Sequence, residues 1–220
     1  MMPQPSVIAP APWTLRGNGY IFLYRFSKEF IEKQGFLTEF HKKATFKGVI
    51  GSVMLVDYHT SEVGGYKELL FIPGLFNFEK KTGFNISKIY VSTYESVYNG
   101  IQNWGIPKEL ADFEITQIAQ NQAYFEVKNS QKTFFQADIK SYGIPFYINT
   151  ALFPFNFYQP LESKTLLTQP QGKGWAKLCK LRNLQIDSAL FPDISTQRPL
   201  VCMAVRNFTM KFPVAKNIEL

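Results

Sequence analysis

Lys108 follows a Gly105-Ile106-Pro107 stop, and its amine is the side chain in this sequence best placed for covalent chemistry. Other routes are thinly supplied. The two histidines, His41 and His59, lie far apart, and neither belongs to an HExxH or a His-carboxylate cluster. Each reads as a surface or satisfied core histidine, so no metal is expected. Cys179 and Cys202 lack metal-ligand spacing and read as buried thiols of a reducing, cytoplasmic compartment, with a single bridge as the alternative. No serine sits in a G-x-S-x-G elbow, and neither glycine pair is followed by Lys-Ser/Thr, so no triad and no phosphate loop are expected.

A lysine amine attacks a carbonyl only when neutral. At an ordinary pKa near ~10.4, roughly one lysine in a few thousand is neutral at pH 7. Lowering that pKa by ~3 units takes on the order of 4 kcal/mol of bias against the ammonium, which desolvation or a neighbouring cation can supply. Trp104, Ile106, Pro107 and Leu110 flank Lys108 and suit the first route. The plainer reading is a solvated lysine on a helix-to-strand loop.

The elements that must position this lysine are legible around it. Ile86–Val91 reads as a short strand, and Ser92-Thr93-Tyr94-Glu95 as a capping box opening a helix. Tyr94, Val97, Ile101 and Trp104 then fall on one apolar stripe at helical spacing. Gly105 is a left-handed stop and Pro107 prevents continuation, which delivers Lys108 just past a docked helix. Upstream, Gly19–Phe26 and Gly48–Tyr58 read as strands, and Ser27 as the cap of a short helix weakened by Gly35. Tyr66–Ile72 alternates, with Tyr66, Glu68, Leu70 and Ile72 on one face and Lys67, Leu69 and Phe71 on the other. Downstream, Phe113–Ile118, Tyr124–Val127 and Thr133–Ile139 read as a meander. The aromatic segment Ile144–Tyr158, interrupted by Pro145 and Pro154, could line a pocket, cover a sheet edge or form a subunit interface. Gly172–Trp175 opens a further strand and Leu200–Phe212 closes the chain.

Composition bounds the class. Of 220 residues, 45% are hydrophobic and 16% aromatic, including 21 Phe and 11 Tyr, which excludes disorder and favours strands. The net charge of +7 is dispersed: His41-Lys42-Lys43 with Lys47, and Lys80-Lys81, are the nearest approaches to clusters. No nucleic-acid partner is therefore expected. No apolar run is long enough to span a bilayer, and the Pro-rich Met1–Trp13 does not read as a signal peptide, so no membrane partner is expected.

The order of a strand bearing Tyr66-x-Glu68, another strand, a helix and then Gly105-Ile106-Pro107-Lys108-Glu109-Leu110-Ala111 resembles the acetoacetate decarboxylase superfamily. Members carry an aromatic-x-Glu strand about forty residues before a helix ending in x-Pro-Lys-Lys-Leu, and Glu68 and Lys108 stand forty apart. The resemblance spans Trp13 to the last strand. It implies a closed, cone-like antiparallel sheet around an apolar pocket, with no cofactor. It also implies a Schiff base between Lys108 and a ketone, whose protonated imine acts as an electron sink for loss of carbon dioxide or for aldol-type chemistry. Glu68 would then be the acid/base at the imine.

The departures are specific. Position 109 holds Glu where decarboxylases carry a second lysine, and a carboxylate there favours the ammonium unless the two side chains point to opposite faces. The family's Gly-Arg-Glu on the helix appears as Gly100-Ile101-Gln102. Its second acidic residue, fifteen before Glu68, falls at Val53, and its first-strand arginine falls near Gly17, with Arg16 as stand-in. These changes remove groups that would hold a keto acid's carboxylate. The expectation is one mainly antiparallel β domain over residues 1–220 with two or three helices, acting on a small keto acid or other carbonyl compound through Lys108 and Glu68. The alternative is a non-catalytic binder of small apolar ligands in the same pocket. Self-association through Ile144–Tyr158 is expected, since exposed apolar patches meet partners.

Overall fold

The computed structural model describes residues 2–79, 81–130, 132–152 and 155–219. The Pro154 interruption and Lys80 lie outside the described residues. The chain opens with β1 (Trp13–Tyr24), α1 (Lys28–Gln34), α2 (Glu39–Lys42) and β2 (Thr45–Gly48). It continues through β3 (Gly51–Thr60), β4 (Tyr66–Ile72), β5 (Leu75–Phe78), β6 (Lys81–Phe84) and β7 (Lys88–Val91). Then come α3 (Tyr94–Trp104), β8 (Lys108–Leu110), β9 (Asp112–Ala119), β10 (Gln122–Asn129) and β11 (Lys132–Asn149). After a 3-10 turn at Thr150–Leu152, β12 (Phe157–Leu161), β13 (Lys164–Thr168), β14 (Gln171–Ile186), β15 (Val201–Phe212) and β16 (Lys216–Ile218) complete the chain.

Ten strands form one sheet in the order β8-β7-β4-β3-β1-β15-β14-β11-β10-β9, antiparallel throughout except for β7 with β8. The six remaining strands form a smaller sheet. The large sheet is strongly curled, and two ring contacts prove it. Tyr20 on β1 and Phe125 on β10 lie four strand steps apart, about 19 Å in a flat sheet, yet their ring centroids are 5.2 Å apart. Tyr90 on β7 and Phe134 on β11 are six steps apart, about 29 Å when flat, and their centroids are 4.7 Å apart. The sheet's two edges, β8 and β9, are joined by Ala111 alone. The chain itself thus links the two edges of the curled, barrel-like sheet.

The enclosed face is filled with side chains from all around the barrel, among them Phe22, Leu55, Phe71, Phe125, Phe135 and Phe191. The opposite face carries a second apolar layer. There Val97 and Trp104 of α3 pack with Tyr66, Leu70, Ile89 and Val91, and Tyr94 and Ile101 sit at the margin of the same layer. The alternation expected for Tyr66–Ile72 is therefore real, and both faces are covered.

Several expected boundaries move. β1 begins at Trp13 instead of Gly19, because an irregularity in its pairing near Gly17–Gly19 lets the strand continue through the glycines. The second expected strand, Gly48–Tyr58, is β3 and begins at Gly51, because Gly48 ends a separate short strand, β2, that was not expected. β11 runs straight through Pro145, which sits where the register with β14 shifts between Tyr142 and Phe146, so the missing amide breaks no ladder bond. Ile144–Asn149 is thus strand. Ile144 is 87% exposed, and Tyr147 meets Trp175 edge to face at 5.6 Å. No helix among the described residues is long and apolar enough to cross a membrane.

Candidate functional site

α3 sets the geometry. Its start differs from the expected capping box by one residue: Thr93 is the N-cap, accepting from the Ser96 amide at 3.4 Å. Ser92 belongs to the sheet instead, its hydroxyl accepting from the Lys67 amide at 2.8 Å. Glu95 does not reach back to the helix start; it accepts a hydrogen bond from Ser6 at 2.7 Å. At the other end Gly105 adopts φ 67°, the left-handed stop expected, and its amide bonds Ile101 O at 2.8 Å. Three residues later Lys108 begins β8, in register with Ile89 of β7.

Glu68 lies two strands away, opposite Val91 on β4. Lys108 and Glu68 reach towards each other across β7, beneath α3, and meet at 3.1 Å between Nζ and Oε2. Both side chains are almost fully buried, 4% and 7% exposed. The amine also donates to Ser96 Oγ at 3.0 Å and to Tyr66 Oη at 3.4 Å. It sits 4.9 Å from the centroid of the Tyr66 ring, within cation–π range. Tyr58 donates to the other Glu68 oxygen at 3.3 Å and packs on Tyr66 with centroids 4.7 Å apart. Burial, reinforced by the Glu68 carboxylate, raises both phenols well above their ordinary range and holds them protonated as donors.

Gly100 lets the helix approach. A Cβ there would lie 2.6 Å from Lys108 Cδ and 2.9 Å from Cε. Ser96 and Gly100 together form a small-residue stripe at i, i+4 against which the lysine stem lies.

The structure brings together Lys108 and Glu68 but disperses the other expected positions. Glu109 points away from Lys108 and pairs with Lys88 at 2.5 Å. Lys88 Nζ in turn lies over the rings of Phe36 and Tyr90, 5.0 Å and 4.7 Å from their centroids. Strand alternation accounts for this: Glu109 is in register with Tyr90, an enclosed-face residue. Val53 lies within the enclosed apolar core, on the face opposite Glu68, so a fixed offset of fifteen does not identify a site position. Arg16 and Gln102 are exposed, and Ile101 is half-buried against α3's apolar layer. Two site residues escaped the sequence reading, Tyr58 and Ser96, and Gly100 entered it only as the first residue of the Gly-Ile-Gln stretch. Tyr58 is the cross-strand partner of Tyr66 in the β3–β4 hairpin, and the Ser96/Gly100 spacing is a signal of close approach to the helix.

Among the described residues no group of three or more His, Cys, Asp and Glu side chains is placed to hold a metal. His41 is buried in a separate network and His59 is exposed beside Asn18.

The sequence matches no protein-family model, and no curated relative matches it. Solved structures do match. Acetoacetate decarboxylase from Legionella pneumophila superposes with a TM-score of 0.70 at 13% identity, over 99% of this chain and 92% of that one. The enduracididine biosynthesis enzyme MppR, solved as a complex with pyruvate, gives 0.67 at 12% identity, over 96% and 92%. An acetoacetate decarboxylase-like enzyme from Sphingomonas wittichii RW1 gives 0.65 at 8% identity, over 96% and 94%. This chain therefore has the acetoacetate decarboxylase-like fold along nearly its whole length.

Proposed function

We propose that this protein is a divergent acetoacetate decarboxylase-like protein that forms a Schiff base between Lys108 and a small carbonyl compound. The observation that carries the proposal is the buried Lys108–Glu68 contact at 3.1 Å, on a fold shared with enzymes of that kind. Condensation needs a proton acceptor at the nitrogen, and Glu68 Oε2 is in hydrogen-bond reach. The Nζ–C bond forms as the carbonyl π bond breaks. Two of the ammonium's three hydrogens then leave with the carbonyl oxygen as water, relayed by Glu68. The third stays on the iminium nitrogen, so the positive charge is conserved. The iminium can accept an electron pair from an adjacent C–C or C–H bond, as decarboxylation or aldol-type chemistry requires.

A second reading draws on the same geometry. The three hydrogens of the amine already have three partners, Glu68, Ser96 and Tyr66, as in a purely structural buried ion pair. In that case the protein binds small apolar ligands without reacting with them.

Reductive trapping separates the two. The chain is incubated with a panel of small ketones and aldehydes plus borohydride, digested and read by mass spectrometry, with Lys108→Met as control. The catalytic reading expects a reduced adduct on the Lys108 peptide that the variant lacks. A broad panel leaving Lys108 unmodified eliminates it in favour of the binder.

A further inference from the structure

The charges around Lys108 restrict which carbonyl compound can condense there. Glu68 and Lys108 balance each other, and every other polar partner in the cluster is a neutral hydroxyl: Tyr58, Tyr66 and Ser96. Other charged residues on the same elements are engaged elsewhere or belong to other faces. Lys88 and Glu109 pair with each other, and Glu95 accepts from Ser6. Lys67 alternates with Glu68 and so faces the opposite side of β4. Among the described residues no second cation makes an ion pair or hydrogen bond with any member of the cluster.

We infer that the site selects uncharged carbonyl compounds, aldehydes and ketones, over keto acids. The inference rests on the Schiff-base reading above. Condensation with a neutral carbonyl turns the ammonium into an iminium, and the single positive charge still faces the single Glu68 carboxylate. A keto acid would bring its own carboxylate within a few bonds of the new iminium. Two carboxylates would then share one cation in a region where the lysine and glutamate side chains are 4% and 7% exposed. Two like charges in a poorly solvated site disfavour each other strongly. The three hydroxyls suit a neutral ligand, since each can donate to or accept from an oxygen without adding charge. Glu68 is thus a specificity-determining residue as well as the proton acceptor.

Pyruvate and its uncharged methyl ester form a matched pair for the test. Each is incubated with the full chain and cyanoborohydride, and the adduct on Lys108 is divided by that compound's adduct on free Nα-acetyl-lysine. This normalisation removes the ester's greater intrinsic electrophilicity. The normalised ratio of ester to acid at Lys108 is expected to be about tenfold or more. In Glu68→Gln the second negative charge is gone, and the ratio is expected to fall towards one, whatever the absolute rate. A wild-type ratio near or below one, with adducts forming, overturns charge selection and leaves the Schiff base standing. A high ratio that persists in Glu68→Gln overturns the assignment to Glu68. No adduct from either compound removes the Schiff-base reading and this inference together.

Discussion

Gly100 controls how closely α3 lies over the lysine. Its position against the Lys108 stem leaves no room for a methyl group, yet the colliding atoms belong to a flexible side chain rather than to backbone. Gly100→Ala should therefore displace the lysine without unfolding the helix. Alanine gains about 1 kcal/mol of helix propensity over glycine, which offsets the local crowding. The amine would shift by roughly an ångström, a misplacement that can cost about 10²-fold in a reacting geometry. Reductive trapping at Lys108 is expected to fall at least about tenfold while the thermal midpoint changes little. Unchanged trapping would mean that the close approach has no part in positioning the amine. The ion pair itself is weak evidence about stability, since burying two charges costs about as much as their attraction returns. Its interest lies in orientation: strand alternation sends Lys108 towards Glu68 and sends Glu109 to Lys88 on the other face.

Among the elements, short α2 is held by a buried histidine. His41 is 5% exposed, its Nδ1 accepting from the Thr38 amide at 3.1 Å. Its proton is therefore on Nε2, which donates to Asn85 Oδ1 at 2.8 Å. Asn85 is oriented by donating to Tyr158 O at 2.7 Å and Gln159 Oε1 at 2.8 Å. A second ring proton would confront the Thr38 amide, and burial pushes His41 down to about 4. The unfolded chain binds that proton near ~6.5, so between these values the unfolded state holds more protons. Stability is complete above pH 6.5 and is lost as pH falls towards 4. Between pH 7.5 and 5 this amounts to about 2 kcal/mol, measurable by urea unfolding at each pH. His41→Gln should flatten that segment of the profile; a slope equal to wild type would assign the loss to other groups. α3 shows a different kind of attachment. Glu95, Asn99 and Asn103, spaced at i, i+4 and i+8, bind the segment running from Ser6 to Ala11 through side-chain hydrogen bonds.

At the scale of the whole molecule, local patterns were readable where one face is apolar and the period is clean, as in α3 and β4. The antiparallel barrel and the Lys108–Glu68 pair followed from such patterns together with a family resemblance. What escaped depended on pairing between distant segments. Nothing local in Asp112–Ala119 announces that it becomes the far edge of the sheet from β8, one residue away. Nor does Thr45–Gly48 or Lys81–Phe84 announce membership of a second sheet. The count of fifteen that leads from Glu68 to Val53 ignores on which side of a strand a residue emerges, and Val53 faces the enclosed core. Side chains such as Tyr58 and Ser96 become part of the site only through the hairpin register and the helix phase.

Closure of the barrel through Ala111 has a mechanical consequence. A ring of strands is usually fastened all round by backbone hydrogen bonds, whereas here the join is a clasp: one residue of chain, with the three-residue β8 hooked onto β7. The amine is mounted on the clasp. Hydrogen exchange should accordingly proceed faster at Glu109 and Leu110 than in β3 or β1, which have neighbours on both sides. Protection of β8 equal to that of β1 would count against this reading. If the clasp yields first, a ligand gains a way in to Lys108 while the other nine strands stay knitted together.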